Sequence, residues 1–158
     1  MDEKDLARIR SFVSQYKTLV IATEHEGQPY ATRIFFVENP AAENTLKLYG
    51  TLITTSRKLA NLEDNPRVGI FIGPDHPSIW LEATARARVL NENEEASAAE
   101  VRSWLTQKSP EAGAFISRVP TAAVELEVTW ARLTDLTSST PSTEIAPGNR
   151  TTLEGQQA

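Results

Sequence analysis

The stretch that most constrains the fold of this chain runs from residue 78 to residue 90, where apolar and polar residues alternate without interruption. One face receives Ile79, Leu81, Ala83, Ala85, Ala87 and Val89, and the other receives Trp80, Glu82, Thr84, Arg86 and Arg88. A period of two predicts a β-strand with one apolar and one mixed face. A long strand of this kind is typical of a closed antiparallel barrel, whose interior takes one face of every strand.

The other β-rich runs have hairpin-like spacing, and helices interrupt them without alternating with them. We predict strands at 18–23, 29–37, 45–50, 67–73, 78–90 and 122–133, and helices at 3–16, 92–108 and 110–117. Asn91 or Asn93 is expected to cap the second of these helices. The fold class is therefore mainly β (α+β), an antiparallel barrel of six strands with added helices, not a doubly wound sheet. We place one domain at 1–136 and a mobile Ser/Thr/Pro-rich C-terminal tail at 137–158.

The composition excludes several classes of function. The chain has 158 residues, 40% of them hydrophobic, which is enough for one domain with a core. Its net charge is −5 with Lys and Arg scattered, so we expect no nucleic-acid partner. It has no Cys, and its two His residues are too sparse for a metal cluster, so we predict no metal site. Without an apolar span or a signal sequence, we expect a soluble cytoplasmic protein and no membrane partner.

A short helix that begins near residue 57 has an unusual charge pattern. Ser56 is placed to cap it, and Arg57 and Lys58 lie in its first turn. A helix N-terminus already carries roughly half a positive charge, so two cations there are locally unfavourable. An anion at the helix start, most simply a phosphate, would neutralise them and use the hydroxyls of Thr54 and Thr55. The alternative is that both cationic side chains point into water.

Arg33 is a second cation that needs an explanation. On the strand at 29–37 it shares a face with Ala31, Phe35 and Val37, so it is a lone charge among apolar neighbours. A half-buried arginine requires a partner, because an unpaired buried charge costs several kcal/mol. A ligand anion, an internal carboxylate or a side chain that extends to water would each satisfy it.

The segment around the short helix resembles the FMN-binding split-barrel superfamily related to pyridoxamine 5′-phosphate oxidase. The residues that carry this resemblance are Thr51, Ser56, Arg57, Lys58, Asn61, Leu62, Pro66, Arg67 and Val68. The resemblance implies a six-stranded antiparallel split β-barrel with Greek-key character, which binds FMN and uses it for redox chemistry on an unknown small-molecule substrate. It also implies a two-fold homodimer with the cofactor at the interface, since a barrel this small holds a flavin on its outside.

The resemblance implies cofactor contacts from three segments. These are Arg33, Ile34, Phe35 and Phe36 on one strand, Tyr49, Gly50 and Thr51 on the next, and Ser56, Arg57 and Lys58 at the helix start. Arg33 would reach the cofactor phosphate, and the backbone of residues 34–36 would line the flavin ring. No catalytic acid or base is assigned.

Four functions remain open. The first is an FMN-binding oxidoreductase or flavin reductase, and the second is a deazaflavin F420-dependent reductase on the same barrel. The third is a haem-binding or haem-degrading relative with His25 or His76 as axial ligand, and the fourth is a flavin-binding module without turnover. True pyridoxamine phosphate oxidases end in a motif with Arg and His that binds the substrate phosphate. Here no His follows Arg150, so we do not expect vitamin B6 oxidation.

Overall fold

A computed structural model describes residues 3–39, 44–91 and 97–147 of the chain. The helices are α1 (Glu3–Val13), α2 (Arg57–Asp64), α3 (Ala98–Lys108) and α4 (Pro110–Arg118). The strands are β1 (Thr18–His25), β2 (Gln28–Glu38), β3 (Lys47–Ile53), β4 (Arg67–Ile72), β5 (Ile79–Val89), β6 (Thr121–Asp135) and β7 (Ser142–Ile145). Among the helices in these ranges, none is both long and apolar enough to cross a bilayer.

Six strands form a closed antiparallel barrel, as the alternating pattern predicted. Their order is β3-β2-β1-β4-β5-β6, and β3 pairs again with β6 to complete the ring. β6 is long enough to pair with two strands in succession: its first half pairs with β3 and its second half pairs with β7. The sheet therefore continues past the closed barrel by one strand.

The seventh strand lies where the sequence analysis placed a mobile tail. Thr143 and Ile145 of β7 are buried, and β7 pairs with residues 131–134 near the end of β6. Arg8 of α1 donates a hydrogen bond of 2.7 Å to the hydroxyl of Thr143. Only four residues alternate here, which is too short a pattern to distinguish a strand from a polar tail. The ordered chain thus extends beyond residue 136, and residues 148–158 lie outside the described ranges.

Two apolar clusters hold the barrel. The first fills its interior with alternate residues of each strand, including Leu81, Ala83 and Ala85 of β5, and one end is covered by the apolar face of α1. The second lies outside the barrel, where α3 and α4 cover β2, β3 and β6. Its members are Val37, Tyr49, Leu90, Ala98, Val101, Leu105, Ala112 and Ala123. The two helices therefore shield one part of the outer barrel surface.

The cap of α3 corrects one prediction. The helix begins at Ala98, and its N-cap is Ser97, whose Oγ accepts a hydrogen bond of 3.3 Å from the N–H of Glu100. Asn91 precedes the helix by several residues, and Asn93 lies outside the described residues. A serine followed three residues later by a glutamate is a known start signal, and it was available in the sequence.

We predict that Gly50→Ala destabilises the barrel. A Cβ at Gly50 would lie 2.9 Å from the carbonyl oxygen of Phe35 and 3.1 Å from Cδ1 of Ile34. Because backbone cannot move away as a flexible side chain can, we expect a loss of about 1–3 kcal/mol in the free energy of unfolding. Gly69→Ala is the matched control, since its Cβ would meet only the Cβ of Ala22 at 3.5 Å. Denaturant titration that finds both variants as stable as the wild type would contradict this close approach.

Candidate functional site

The barrel has a gap between β2 and β3. β2 pairs with β1 along residues 28–35, but it pairs with β3 only along residues 36–38. β3 instead pairs with β6 along its whole length. The β2 edge at residues 29–35 therefore has no strand beside it within the described chain. We call this opening, between that edge and residues 54–58 at the start of α2, the barrel gap.

Unpaired main-chain groups of β2 face the barrel gap. His25 and Gln28 close a two-residue turn with positive φ at Glu26 (51°) and Gly27 (82°), and such a closing pair exchanges both hydrogen bonds. Even-numbered residues of β2 thus bond to β1, and the N–H of Phe36 continues this pattern by donating to Lys17 at 3.1 Å. Residues 31 and 33 direct their N–H and C=O groups the other way, into the barrel gap, whereas the carbonyl of Phe35 lies against β3 at the first pair of that ladder. A planar polar ligand would find donors and acceptors along this edge.

The start of α2 leaves free donors at the barrel gap. Ser56 is the N-cap, as predicted, and its Oγ accepts a hydrogen bond of 3.3 Å from the N–H of Leu59. The N–H groups of Arg57 and Lys58 precede the first residue that has an intrahelical acceptor. Thr54 and Thr55 are exposed beside them. The predicted cap and helix start are therefore present, and phosphate binding there stays a prediction.

The two cations of this turn have no carboxylate partner within 4 Å among the described residues. The guanidinium carbon of Arg57 lies 5.3 Å from the ring centroid of Tyr30 on β2. Lys58 is half-buried, and this burial lowers its pKa. A desolvated ammonium group gains most from a nearby anion. Lys58 therefore does not simply extend into water.

Arg33 lies on the other face of β2 from Tyr30, the residue that Arg57 contacts. Its side chain is exposed and lines a small cavity of about 280 Å³ with Val20, Phe71 and Asp75. Among the described residues it has no ion pair, so an internal carboxylate does not account for it. Strand geometry puts the Cα atoms of Arg33 and Tyr30 about 10 Å apart. An anion that binds both Arg33 and Arg57 would have to lie at the β2 edge between them.

The remaining predicted site residues are mostly buried. Ile34 and Phe36 lie in the barrel interior, Thr51 is buried on the outer face of β3, and the ring of Phe35 packs 6.2 Å from that of Phe115. Their contribution to a ligand site would come from main-chain atoms. Gly50 borders the same edge, because it pairs with Phe36.

Tyr49 takes part in a buried polar network. Its ring packs edge-on against Trp104 at 5.6 Å, and its hydroxyl donates a hydrogen bond of 3.1 Å to Glu125. Glu125 is also buried, with Arg88 at 3.3 Å and Lys47 at 3.9 Å. The sequence placed Glu125 on the polar face of its strand and gave no sign of burial, because α3, which covers this face, is remote in sequence. The cofactor contact of Tyr49 stays a prediction.

The two histidines lie in different settings. Nδ1 of His25 is 2.9 Å from Oδ2 of Asp64, beside an open cavity of about 640 Å³ that Arg67 and Arg86 also line. Nδ1 of His76 is 2.6 Å from the hydroxyl of Ser78. Among the described residues no three His, Cys, Asp or Glu side chains are grouped to hold a metal ion.

Comparison with protein families decides the relationship. The sequence model described as pyridoxamine 5′-phosphate oxidase matches residues 6–135, which is most of the chain. The chain belongs to the pyridoxamine 5′-phosphate oxidase family. This confirms the resemblance drawn from the residues around α2 and extends it over nearly the whole barrel. No curated protein matches the sequence.

Solved structures show the same fold at low sequence identity. A Clostridium acetobutylicum protein related to general stress protein 26 of B. subtilis is 15% identical, with a TM-score of 0.67 over 92% of this chain and 96% of that one. HutZ of Vibrio cholerae, described as a haem storage protein, is 22% identical, with a TM-score of 0.63 over 77% and 88%. An FAD-binding protein of Mesorhizobium loti is 14% identical, with a TM-score of 0.61 over 80% and 89%. At sequence identities this low, the comparisons establish only that these proteins share a fold with this chain.

The network around Tyr49 predicts a loss of stability at alkaline pH. Burial, and next the charge of Glu125, raises the pKa of Tyr49 to about 12. Above pH 10 the unfolded chain releases this proton while the folded chain retains it, so stability falls as pH rises towards 12. Two pKa units correspond to about 2.7 kcal/mol.

The measurement is the free energy of unfolding between pH 8 and 12. Tyr49→Phe should be less stable at pH 8, because Glu125 loses a donor, and should show a shallower decline above pH 10. Any decline in stability above pH 10 that remains in Tyr49→Phe comes from other groups. Tyr16 is one of them, because burial also raises its pKa. Equal slopes in the wild type and Tyr49→Phe would show that Tyr49 ionises normally in the folded protein.

Proposed function

We propose that this protein binds FMN in the barrel gap and acts as an oxidoreductase on a small-molecule substrate. The observation that carries the proposal is the meeting of an unpaired β2 edge with a helix start whose two cations lack carboxylate partners in the described ranges. The main-chain groups of the β2 edge suit the polar edge of a planar ring, and the start of α2 suits a phosphate. Membership of the pyridoxamine 5′-phosphate oxidase family supports the same reading.

The residues present fit an FMN phosphate. A phosphate near neutral pH carries about −1.5 to −2 charges, which Arg57 and Lys58 together would neutralise. The free N–H groups of the first turn and the hydroxyls of Thr54 and Thr55 would add hydrogen bonds. Arg33 would approach from the opposite face of the β2 edge. Bound flavin would supply hydride or electron transfer, while the chain binds and orients it.

A second subunit is part of this proposal. Strand pairing places Arg33, Val20, Phe71 and Glu82 in one row across the outer face of β2, β1, β4 and β5. In the described chain no helix covers this row, and Phe71 is 44% exposed. The exposed ring of Phe71 lies between the opposite charges of Arg33 and Glu82, and such a surface suits contact with a second copy of the chain. That second copy would also cover the flavin.

We expect the FMN-loaded protein to be a homodimer. The interface should exceed roughly 1,000 Å², as specific contacts do. Light scattering at micromolar concentration measures this directly, and Phe71→Asp should shift the protein towards monomer. If the FMN-loaded wild type is a monomer, the proposal that a second subunit covers the flavin is wrong.

The phosphate contact predicts how FMN affinity changes with substitution. Arg57→Ala and Lys58→Ala should each weaken FMN binding about ten- to a hundredfold, since a charge-assisted hydrogen bond is worth roughly 1.5–3 kcal/mol. Arg33→Ala should weaken it to a similar degree if the phosphate also reaches the β2 edge. Apo stability should hardly change, because the helix start loses an unfavourable charge. Titration followed by flavin fluorescence gives the affinities.

Riboflavin is the control for this titration, because it lacks the phosphate. It should bind the wild type weakly and show the same affinity in all variants. If FMN affinity is equal in the wild type and the three variants, the phosphate does not bind at this helix. Deazaflavin F420 also carries phosphate, so the same variants would weaken it; direct comparison of FMN with F420 separates these two cofactors.

A haem-binding function is the second candidate, favoured by the setting of His25. A ligating histidine commonly donates its other ring N–H to a carboxylate, and Asp64 occupies that position at 2.9 Å. Arg67 and Arg86 are cross-strand neighbours beside it and would suit haem propionates. Haem titration should then shift and sharpen the Soret band of added haem, an effect that His25→Ala removes and His76→Ala retains. A Soret band that stays that of unbound haem in the wild type would rule out this candidate.

A further inference from the structure

We infer that Asn61 and Thr23 are positioning residues, which hold α2 against the barrel so that Arg57 lies at the barrel gap. This inference rests on the proposed FMN function and names the contact that would orient its phosphate site. Asn61 belongs to the sequence motif around α2 and Thr23 does not, and neither is one of the predicted cofactor contacts. Both would act on FMN only through Arg57.

Asn61 and Thr23 form a buried polar contact between α2 and β1. Nδ2 of Asn61 donates a hydrogen bond of 3.1 Å to Oγ1 of Thr23, and the two residues are only 5% and 2% exposed. On the same helix, Leu59 and Leu62 belong to the first apolar cluster. Apolar contacts hold a helix on the barrel without a preferred direction. A hydrogen bond is directional, so it also limits how far the helix can turn or slide.

The register of α2 and of the β1–β2 hairpin connects this contact to Arg57. Arg57 precedes Asn61 by four residues, so the two side chains lie on one face of the helix. Thr23 and Tyr30 are paired across β1 and β2, so their side chains are neighbours on one face of the sheet. The guanidinium carbon of Arg57 lies 5.3 Å from the ring centroid of Tyr30. One helix face therefore meets one cross-strand pair, with Asn61 on Thr23 and Arg57 on Tyr30.

Two further polar contacts link α2 to β1, at or next to the C-terminal end of the helix. Nδ2 of Asn65 donates a hydrogen bond of 2.7 Å to Glu24, and Nδ1 of His25 lies 2.9 Å from Oδ2 of Asp64. These residues are more exposed than Asn61 and Thr23, and they lie about two turns from the start of α2. Asn61 is one turn from Arg57, so its contact has the larger influence on where that side chain lies.

An apolar pair would serve equally well at this position if stability alone were needed. Replacing both partners of a buried hydrogen bond by apolar groups of the same shape is nearly neutral, whereas replacing one partner leaves a buried polar group unsatisfied. The Asn61–Thr23 pair therefore adds little stability that Leu and Val would not supply. It adds a fixed orientation of α2, because the hydrogen bond is lost when the helix turns. Stability and orientation can thus be separated by experiment.

The experiment compares FMN and riboflavin binding in the wild type, the double variant Asn61→Leu/Thr23→Val, and Thr23→Ser. The double variant removes the hydrogen bond and keeps similar side-chain volumes, so the melting temperature of the apo protein should stay near that of the wild type. FMN binding should weaken about three- to tenfold, less than in Arg57→Ala because the guanidinium is still present. Riboflavin affinity should not change. Thr23→Ser keeps the hydroxyl and should bind FMN as the wild type does.

Thr143→Val is the matched control. Thr143 is also a buried threonine whose hydroxyl accepts a hydrogen bond, from Arg8, but it lies on β7. Its substitution should lower stability and leave FMN affinity unchanged. If the double variant does not fold, Thr23→Val alone is compared with Thr143→Val by the ratio of FMN to riboflavin affinity. Adding Arg57→Ala to the double variant completes a cycle, in which losses that do not add indicate that the pair acts through Arg57.

The possible outcomes separate this inference from the proposed function. If the double variant folds and binds FMN as tightly as the wild type, the pair has no positioning role and the FMN site stands. If Thr143→Val weakens FMN binding equally, or if riboflavin affinity falls together with FMN affinity, the effect is a general loss of stability and the inference is wrong. If the wild type does not bind FMN, or if Arg57→Ala binds it as tightly, the proposed phosphate contact itself is wrong and this inference falls with it.

Discussion

The pairing of β3 with β6 is the contact on which the rest of this structure depends. It closes the barrel, and because β3 follows β6 along its whole length, β3 separates from β2 beyond the pair Phe36 and Gly50. The divergence leaves one edge of β2 without a strand, and α2 begins beside that edge. A polar backbone edge and a cationic helix start therefore lie together as a consequence of how the barrel closes, not of any local motif.

A buried network secures this closure on the outside. Glu125 of β6 and Tyr49 of β3 are buried together under α3, and Tyr49 and the exposed Arg88 of β5 both donate hydrogen bonds to Glu125. Removing the Tyr49 hydroxyl takes a donor from a buried carboxylate, which costs more than an exposed hydrogen bond contributes. The network thus links β3 to β6, two of the strands whose arrangement sets the barrel gap. It links stability of the barrel to the geometry of the candidate site.

The candidate site keeps two adjacent cations apart from any carboxylate of the described residues. Several cations elsewhere are paired, as Arg132 is with Glu82 and Glu144 and Lys108 is with Glu38. At the start of α2 the described residues offer no such neighbour, although the whole chain has an excess of acidic residues. A protein that is acidic overall and still keeps a carboxylate-free cationic corner is suited to an anionic ligand there.

The sequence by itself determined the features that depend on neighbouring residues. Alternation along β5 predicted the barrel and Ser56 predicted the cap of α2, because both reflect local backbone or face preferences. The tertiary structure decided what depends on distant segments. Only strand register and packing show that the β2 edge between Tyr30 and Arg33 has no partner strand among the described residues, that β7 pairs with β6, and that Tyr49 and Glu125 are buried under α3. A single sequence does not contain these results, since pairing between remote strands is set by packing of the whole barrel and not by the residues next to each one.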